Sequence, residues 1–227
     1  MFEILAYEST PLGMLCLRRR ELLSEPGIVV TEVTLNHEFL MSSYHTASER
    51  ALSNVALEMF PGQDVEVLVG GLGLGYTATE VLACDRVGLV EVVELLPQVI
   101  DWLDQGLIPL ADSLKGNPRL KISQDDVYKH LWHPPARQFD LILIDVDHSP
   151  EDQLDEANDS FYTEAGLNRA KQHLTQDGLL GVWSYAESSP FADALNKVFG
   201  EVRIEPVTFL NTHINETVTD WLFFARD

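Results

Sequence analysis

The chain has 227 residues, of which 45% are hydrophobic and 22% are charged, proportions typical of a globular protein with one sizeable core. Its 36 acidic and 15 basic residues give a net charge of −21, which opposes binding to a nucleic-acid backbone. The apolar stretch from Val65 to Leu74 is far shorter than the ~20 residues of a membrane span. We therefore expect neither nucleic acid nor a membrane as a partner.

Residues 1–45 form the first predicted unit, a β-hairpin cap. Apolar and β-branched segments predict strands at 2–7, 14–18, 28–35 and 37–41, separated by turn residues. The run Arg18-Arg19-Arg20 is interpreted as the exposed end of a strand. Next, Thr46-Ala47-Ser48-Glu49 resembles a capping box and predicts a helix that ends at Pro61-Gly62.

Residues 46–227 form the second predicted unit, in which apolar strands alternate with helices. Strands are expected at 65–69, 88–93, 120–122, 141–144 and 179–183, with helices at 76–84, 97–104, 126–132 and 159–174. Segments 202–209 and 221–225 predict a closing hairpin whose last strand is antiparallel. The pattern indicates an α/β protein with a doubly wound, Rossmann-like, seven-stranded sheet.

A glycine-rich turn follows the first strand of this sheet. Gly71, Gly73 and Gly75 alternate with leucines immediately before a helix, an arrangement that lets the backbone approach a nucleotide or nucleoside. Glu94 ends the next strand, about 20 residues on, where a carboxylate can accept hydrogen bonds from a ribose diol. Asp125 follows the third strand and either accepts from an adenine amino group or caps the next helix.

Titratable side chains also follow the fourth strand, in the segment Asp145-Val146-Asp147-His148. The carboxyl ends of parallel strands face the ligand crevice, so Asp145, Asp147 and His148 are well placed for catalysis or for contacts to the substrate. A polar turn that bonds to its own backbone is the alternative. Tyr185, after the fifth strand, is a further candidate for the acceptor pocket.

The glycine turn, Glu94, Asp125 and Asp145, in that order and spacing, resemble the spermidine synthase family of aminopropyltransferases. The resemblance implies a class I methyltransferase-like fold and transfer of an aminopropyl group from decarboxylated S-adenosylmethionine to an amine. It implies that Glu94 holds the ribose and Asp125 the adenine, and that Asp145 positions and deprotonates the amine. It also implies an Asp in the glycine turn, where this chain has Leu74, and a second Asp after the fourth strand, which falls on Asp147 or His148.

Other functions stay open at this stage. S-adenosylmethionine itself can be the co-substrate of a small-molecule methyltransferase, and loss of catalysis would leave a nucleoside-binding homologue. The glycine turn and Glu94 would also suit NAD. His130 and His133 lie three residues apart but lack a third ligand, so no metal is expected. Cys16 and Cys84 are far apart, which favours a reduced, cytoplasmic setting, and the interpretation leaves a homodimer open.

Overall fold

The N-terminal residues fold into a four-stranded antiparallel sheet, as the turn residues predict. A computed structural model describes residues 1–146, 148–154, 158, 160–211 and 216–227 of the chain. The strands of the first sheet pair in sequence order: β1 (Phe2–Thr10), β2 (Gly13–Glu21), β3 (Val29–Leu35) and β4 (Glu38–Ser42).

The remaining strands form a seven-stranded sheet, which confirms the predicted fold class. These strands are β5 (Val65–Gly70), β6 (Val87–Glu94), β7 (Leu120–Gln124), β8 (Phe139–Ile144), β9 (Leu174–Ser184), β10 (Glu201–Asn211) and β11 (Glu216–Arg226). Their spatial order is β10-β11-β9-β8-β5-β6-β7, and β5 to β9 pair in parallel. β11 lies antiparallel between β9 and β10, as predicted for the closing hairpin.

Helices cover both faces of this sheet. They are α1 (Ala47–Met59), α2 (Tyr76–Leu82), α3 (Pro97–Asp104), α4 (Ala111–Leu114), α5 (Val127–Trp132), α6 (Glu164–Lys171) and α7 (Ser189–Val198). One buried cluster joins the first sheet, α1, α2 and α3 to the large sheet, and a second joins α5, α6 and α7 to its other face. The alternation along β8 explains this division, because Leu141 and Leu143 belong to the first cluster and Ile142 and Ile144 to the second.

The strand order reverses beside β5, which has β6 on one side and β8 on the other. The turns that leave β5 and β8 therefore separate to opposite faces and open a crevice at their carboxyl ends. Some local predictions were wrong. Thr46 starts α1 without a side-chain cap, and Glu49 accepts a hydrogen bond from Ser48 instead of completing a capping box. The helix expected to reach residue 174 ends at Lys171, and β9 begins at Leu174. Neither α4 nor α7 was predicted, although Ser188 caps α7.

Candidate functional site

The glycine turn lies at the centre of the crevice, directly after β5. Gly71 has φ +89° and Gly73 has φ +51°, both in the left-handed region that favours glycine. A Cβ atom at Gly71 would collide with the carbonyl oxygen of Asp145, so this glycine lets the turn pack against the end of β8. Gly75 caps the N-terminus of α2. Leu74 is 3% exposed and packs in the core, so it adds an apolar surface to the turn and no charge.

Glu94 ends β6 beneath this turn and is 7% exposed. Its carboxylate accepts hydrogen bonds from the backbone N–H groups of Leu72 and Leu96, each at 2.8 Å. Burial raises the pKa of Glu94, and these backbone donors oppose that shift. The carboxylate is thus fixed in place at the edge of the first cavity.

This first cavity has a volume of about 90 Å³ and a mostly apolar lining. Gly71, Gly73 and Glu94 line it, together with Trp102 from α3 and Asp126 from the turn before α5. An apolar lining with a few polar groups is typical of a small-molecule site.

Asp125 lies in the turn between β7 and α5. Its side chain is exposed, is not part of the cavity lining, and accepts a hydrogen bond from the N–H of Asp126 at 2.8 Å. Asp126 lines the cavity and is also the N-cap of α5, accepting from the N–H groups of Tyr128 and Lys129. The N-cap of this helix is therefore Asp126, one residue after the predicted Asp125.

Asp145 follows β8 and lies where the first cavity meets a second one, since it lines both. Thr77 Oγ1, in the first turn of α2, donates a hydrogen bond to Asp145 Oδ2 at 2.6 Å. Burial raises the pKa of Asp145 to about 6; the Thr77 hydrogen bond opposes the rise and the charge of Asp220 adds to it. A carboxyl group with this pKa is ionised at neutral pH yet close to the range of an efficient proton acceptor.

The second cavity has a volume of about 600 Å³, and its lining includes Glu49 and Asp220, which the sequence did not indicate as site residues. Ser48 Oγ lies 2.6 Å from Asp220 Oδ2 and 3.1 Å from Glu49 Oε2, and so bridges the two carboxyl groups. Burial and then the charge of Asp145 raise the pKa of Glu49 to about 8. Burial also raises the pKa of Asp220, against the hydrogen bond from Ser48. Glu49, Asp145 and Asp220 therefore share one acidic region.

The sequence pattern did not indicate that Glu49 and Asp220 belong to the site. Glu49 sits where a capping box would place its glutamate, and Asp220 is 172 residues from its partner Ser48. Asp220 is, however, 6% exposed and precedes an apolar run in β11, in which Leu222 to Ala225 are all buried. A charged residue facing inward from such a strand is the signal that could have indicated it.

Two of the three residues predicted to contact the substrate, His148 and Tyr185, line the second cavity. Their rings are 6.3 Å apart, and the Tyr185 N–H donates to the His148 carbonyl at 2.9 Å. The Tyr185 hydroxyl donates to Asp152 Oδ2 at 3.2 Å, which orients the ring. Asp147 lies outside the described residues.

Arg18 and Arg20 also line the second cavity, where the sequence predicted only an exposed strand end. Both guanidinium groups pair with Glu32, which is 2% exposed, at 2.9 Å and 2.7 Å. Burial alone would raise the pKa of Glu32, but the two arginines outweigh it and hold that pKa below its usual value. The alternation of β2 places both arginines on one side of the strand, where the buried carboxylate holds them.

Two negative findings concern only the described residues. No group of three or more His, Cys, Asp or Glu side chains is arranged to hold a metal ion there. No helix in that part of the chain combines the length and hydropathy needed to span a membrane.

Comparison with known protein families gives one match that covers most of the chain. A family model described as the spermine/spermidine synthase domain matches residues 45–193. A polyamine aminopropyltransferase from Prochlorococcus marinus subsp. pastoris (strain CCMP1986 / NIES-2087 / MED4) is 30% identical over 139 residues, 59% of this chain and 47% of that relative. The chain thus spans about half the length of the curated relative that it matches.

Solved structures of similar shape point to the same fold. The spermidine synthase from Thermotoga maritima superposes with a TM-score of 0.74 at 18% identity, covering 98% of this chain and 72% of that one. A spermidine synthase solved with the transition-state analogue AdoDATO gives a TM-score of 0.77 at 18% identity, covering 98% and 73%. At this identity the likeness shows the fold.

Proposed function

Because the chain belongs to the spermine/spermidine synthase family, as the sequence resemblance predicted, we propose that it transfers an aminopropyl group from decarboxylated S-adenosylmethionine to an amine acceptor. The observation that carries the proposal is the position of Asp145, which lines both cavities. A nucleoside in the first cavity and an amine in the second would meet at this carboxylate.

The first cavity is the proposed nucleoside site. Glu94 accepts the ribose hydroxyls, since each carboxylate oxygen has lone pairs beyond those used by the backbone. Gly71 and Gly73 allow close approach of the ligand. For the adenine amino group we retain Asp125, with Asp126 as the competing acceptor because it lines the cavity. Separate Asp→Asn variants at these two positions would distinguish them by nucleoside affinity.

The proposed reaction is a direct displacement. The lone pair of the acceptor nitrogen forms a bond to the aminopropyl carbon, the carbon–sulfur bond breaks, and its electron pair goes to sulfur to give neutral methylthioadenosine. Asp145 takes the proton that the amine nitrogen must lose. Alignment of nucleophile and leaving group supplies most of the acceleration in such a step. His148, Tyr185 and Asp147 are proposed to contact the acceptor.

Methyl transfer from S-adenosylmethionine is the second candidate function. The observation that favours it is Leu74, because the glycine turn carries no carboxylate to bind the amino group of the decarboxylated donor. Nucleoside binding does not depend on this residue.

Donor selectivity tests the proposal. Calorimetric titration with decarboxylated S-adenosylmethionine, S-adenosylmethionine, methylthioadenosine and NAD should rank the decarboxylated donor first. A tenfold preference for S-adenosylmethionine would favour the second candidate, and tight binding of NAD alone would contradict both.

We further propose that residues 1–45 act as a cap on the domain formed by residues 46–227. Leu12, Leu40 and Met41 from this cap line the nucleoside cavity. A cytoplasmic location and a homodimer stay predictions.

A further inference from the structure

The second cavity carries opposite charges in two regions. Glu49, Asp145 and Asp220 form its acidic region, and Arg18 and Arg20 with Glu32 form its basic one. Two guanidinium groups against one carboxylate leave a formal charge of +1 there. In a chain with a net charge of −21, a positive site inside a cavity is a local departure from the overall field.

Arg18 and Arg20 each have N–H donors that do not bond to Glu32. Each uses Nε and Nη2 on Glu32, at distances between 2.7 and 3.0 Å. The Nη1 group of each has no hydrogen-bond partner among the residues that the structure describes. Planar guanidinium donors of this kind match the geometry of a carboxylate.

We propose that the acceptor is an amino acid: its amine lies at the acidic region and its carboxylate at Arg18 and Arg20. This inference rests on the proposed function and narrows its substrate class. The transfer step keeps its balance, with the amine proton going to Asp145 and the electron pair of the broken bond going to sulfur. A diamine of equal length would bring a second ammonium towards the arginines, and repulsion would weaken its binding.

The experiment compares 4-aminobutanoate with 1,4-diaminobutane in the intact protein. Initial rates with decarboxylated S-adenosylmethionine give kcat/KM for each, and calorimetry on the methylthioadenosine-saturated protein gives their affinities without turnover. We expect 4-aminobutanoate to be preferred at least tenfold. Arg18→Gln and Arg20→Gln, which each leave Glu32 one partner, should reduce that preference at least tenfold.

Arg203→Gln is the matched control, since Arg203 pairs with Glu205 on β10 and does not line the cavity. It should leave the preference unchanged. A preference for the diamine, or an equal effect of all three variants, would overturn the inference while leaving aminopropyl transfer intact.

Two further outcomes separate the remaining possibilities. If no acceptor is modified but 4-aminobutanoate binds tenfold better and needs the arginines, the amino-acid binding site stands, while the proposed function and the role of the amino acid as acceptor fail. If Arg18→Gln instead alters discrimination between S-adenosylmethionine and its decarboxylated form, with the acceptor preference unmoved, the arginines bind the donor's carboxylate and the inference is overturned.

Discussion

Replacing Asp145 with Asn should lower activity and raise stability together. Asn has nearly the same shape and keeps an oxygen that can accept the hydrogen bond from Thr77. It cannot take the proton of the amine, so turnover should fall by a factor of about 10² to 10⁴. The variant also removes a carboxylate that the fold holds in an unfavourable environment.

The size of the stability gain follows from the pKa. Burial is the largest cause of the rise from 3.8 to about 6, and 2.2 units correspond to about 3 kcal/mol. The side chain is partly exposed in the cavity, which reduces the expected gain at pH 8 to about 1 to 3 kcal/mol. Because the folded pKa is the higher one, the penalty grows from about pH 4 to pH 6. The gain should therefore be about half as large at pH 5.

Urea unfolding at pH 5 and pH 8, with initial rates at pH 8, measures both effects. Asp177→Asn is the matched control, because Asp177 is an exposed aspartate on β9, and its free energy of unfolding should change by less than about 0.5 kcal/mol. An Asp145→Asn protein that is less stable than the parent at pH 8 would refute the desolvation argument. Normal turnover would show that Asp145 has a structural role.

Three other variants test neighbouring parts of the site. Glu94→Gln should weaken methylthioadenosine binding by about 1 to 3 kcal/mol in calorimetry, because an amide offers one acceptor where the carboxylate offers two; unchanged affinity would place Glu94 outside the nucleoside site. Gly71→Ala should lower the free energy of unfolding by at least about 2 kcal/mol more than Gly116→Ala. Both glycines have positive φ, but only at Gly71 would the added Cβ collide with a backbone atom, the carbonyl oxygen of Asp145. Equal losses of stability would contradict this close contact. Asp220→Asn should move the acid limb of the pH profile of kcat/KM to lower pH, because the Asp220 charge raises the pKa of Asp145. An acid limb at the same pH would show that the charge of Asp220 does not affect the titration of Asp145.

Local patterns were sufficient to predict the central part of the fold. Alternation of apolar strands and helices indicated the seven-stranded sheet, since buried parallel strands form apolar runs, as in Leu141 to Ile144 of β8. The carboxyl ends of such strands meet at one edge, so the glycine turn and Asp145 could be placed together from the sequence alone.

The rest of the site depends on contacts that no local pattern encodes. Asp220 reaches Ser48 only because β11 inserts antiparallel beside β9. Glu32 fixes Arg18 and Arg20 through pairing between two strands of the first sheet, so a run of arginines became part of a cavity lining. Long-range pairing of this kind is set by tertiary packing.

Product analysis tests the central claim most directly. The protein is incubated with decarboxylated S-adenosylmethionine and an amine, and both products are quantified by mass spectrometry. Aminopropyl transfer predicts methylthioadenosine and aminopropylated acceptor in equal amounts, with both falling together in Asp145→Asn. A methylated acceptor formed from S-adenosylmethionine, with no product from the decarboxylated donor, would contradict it.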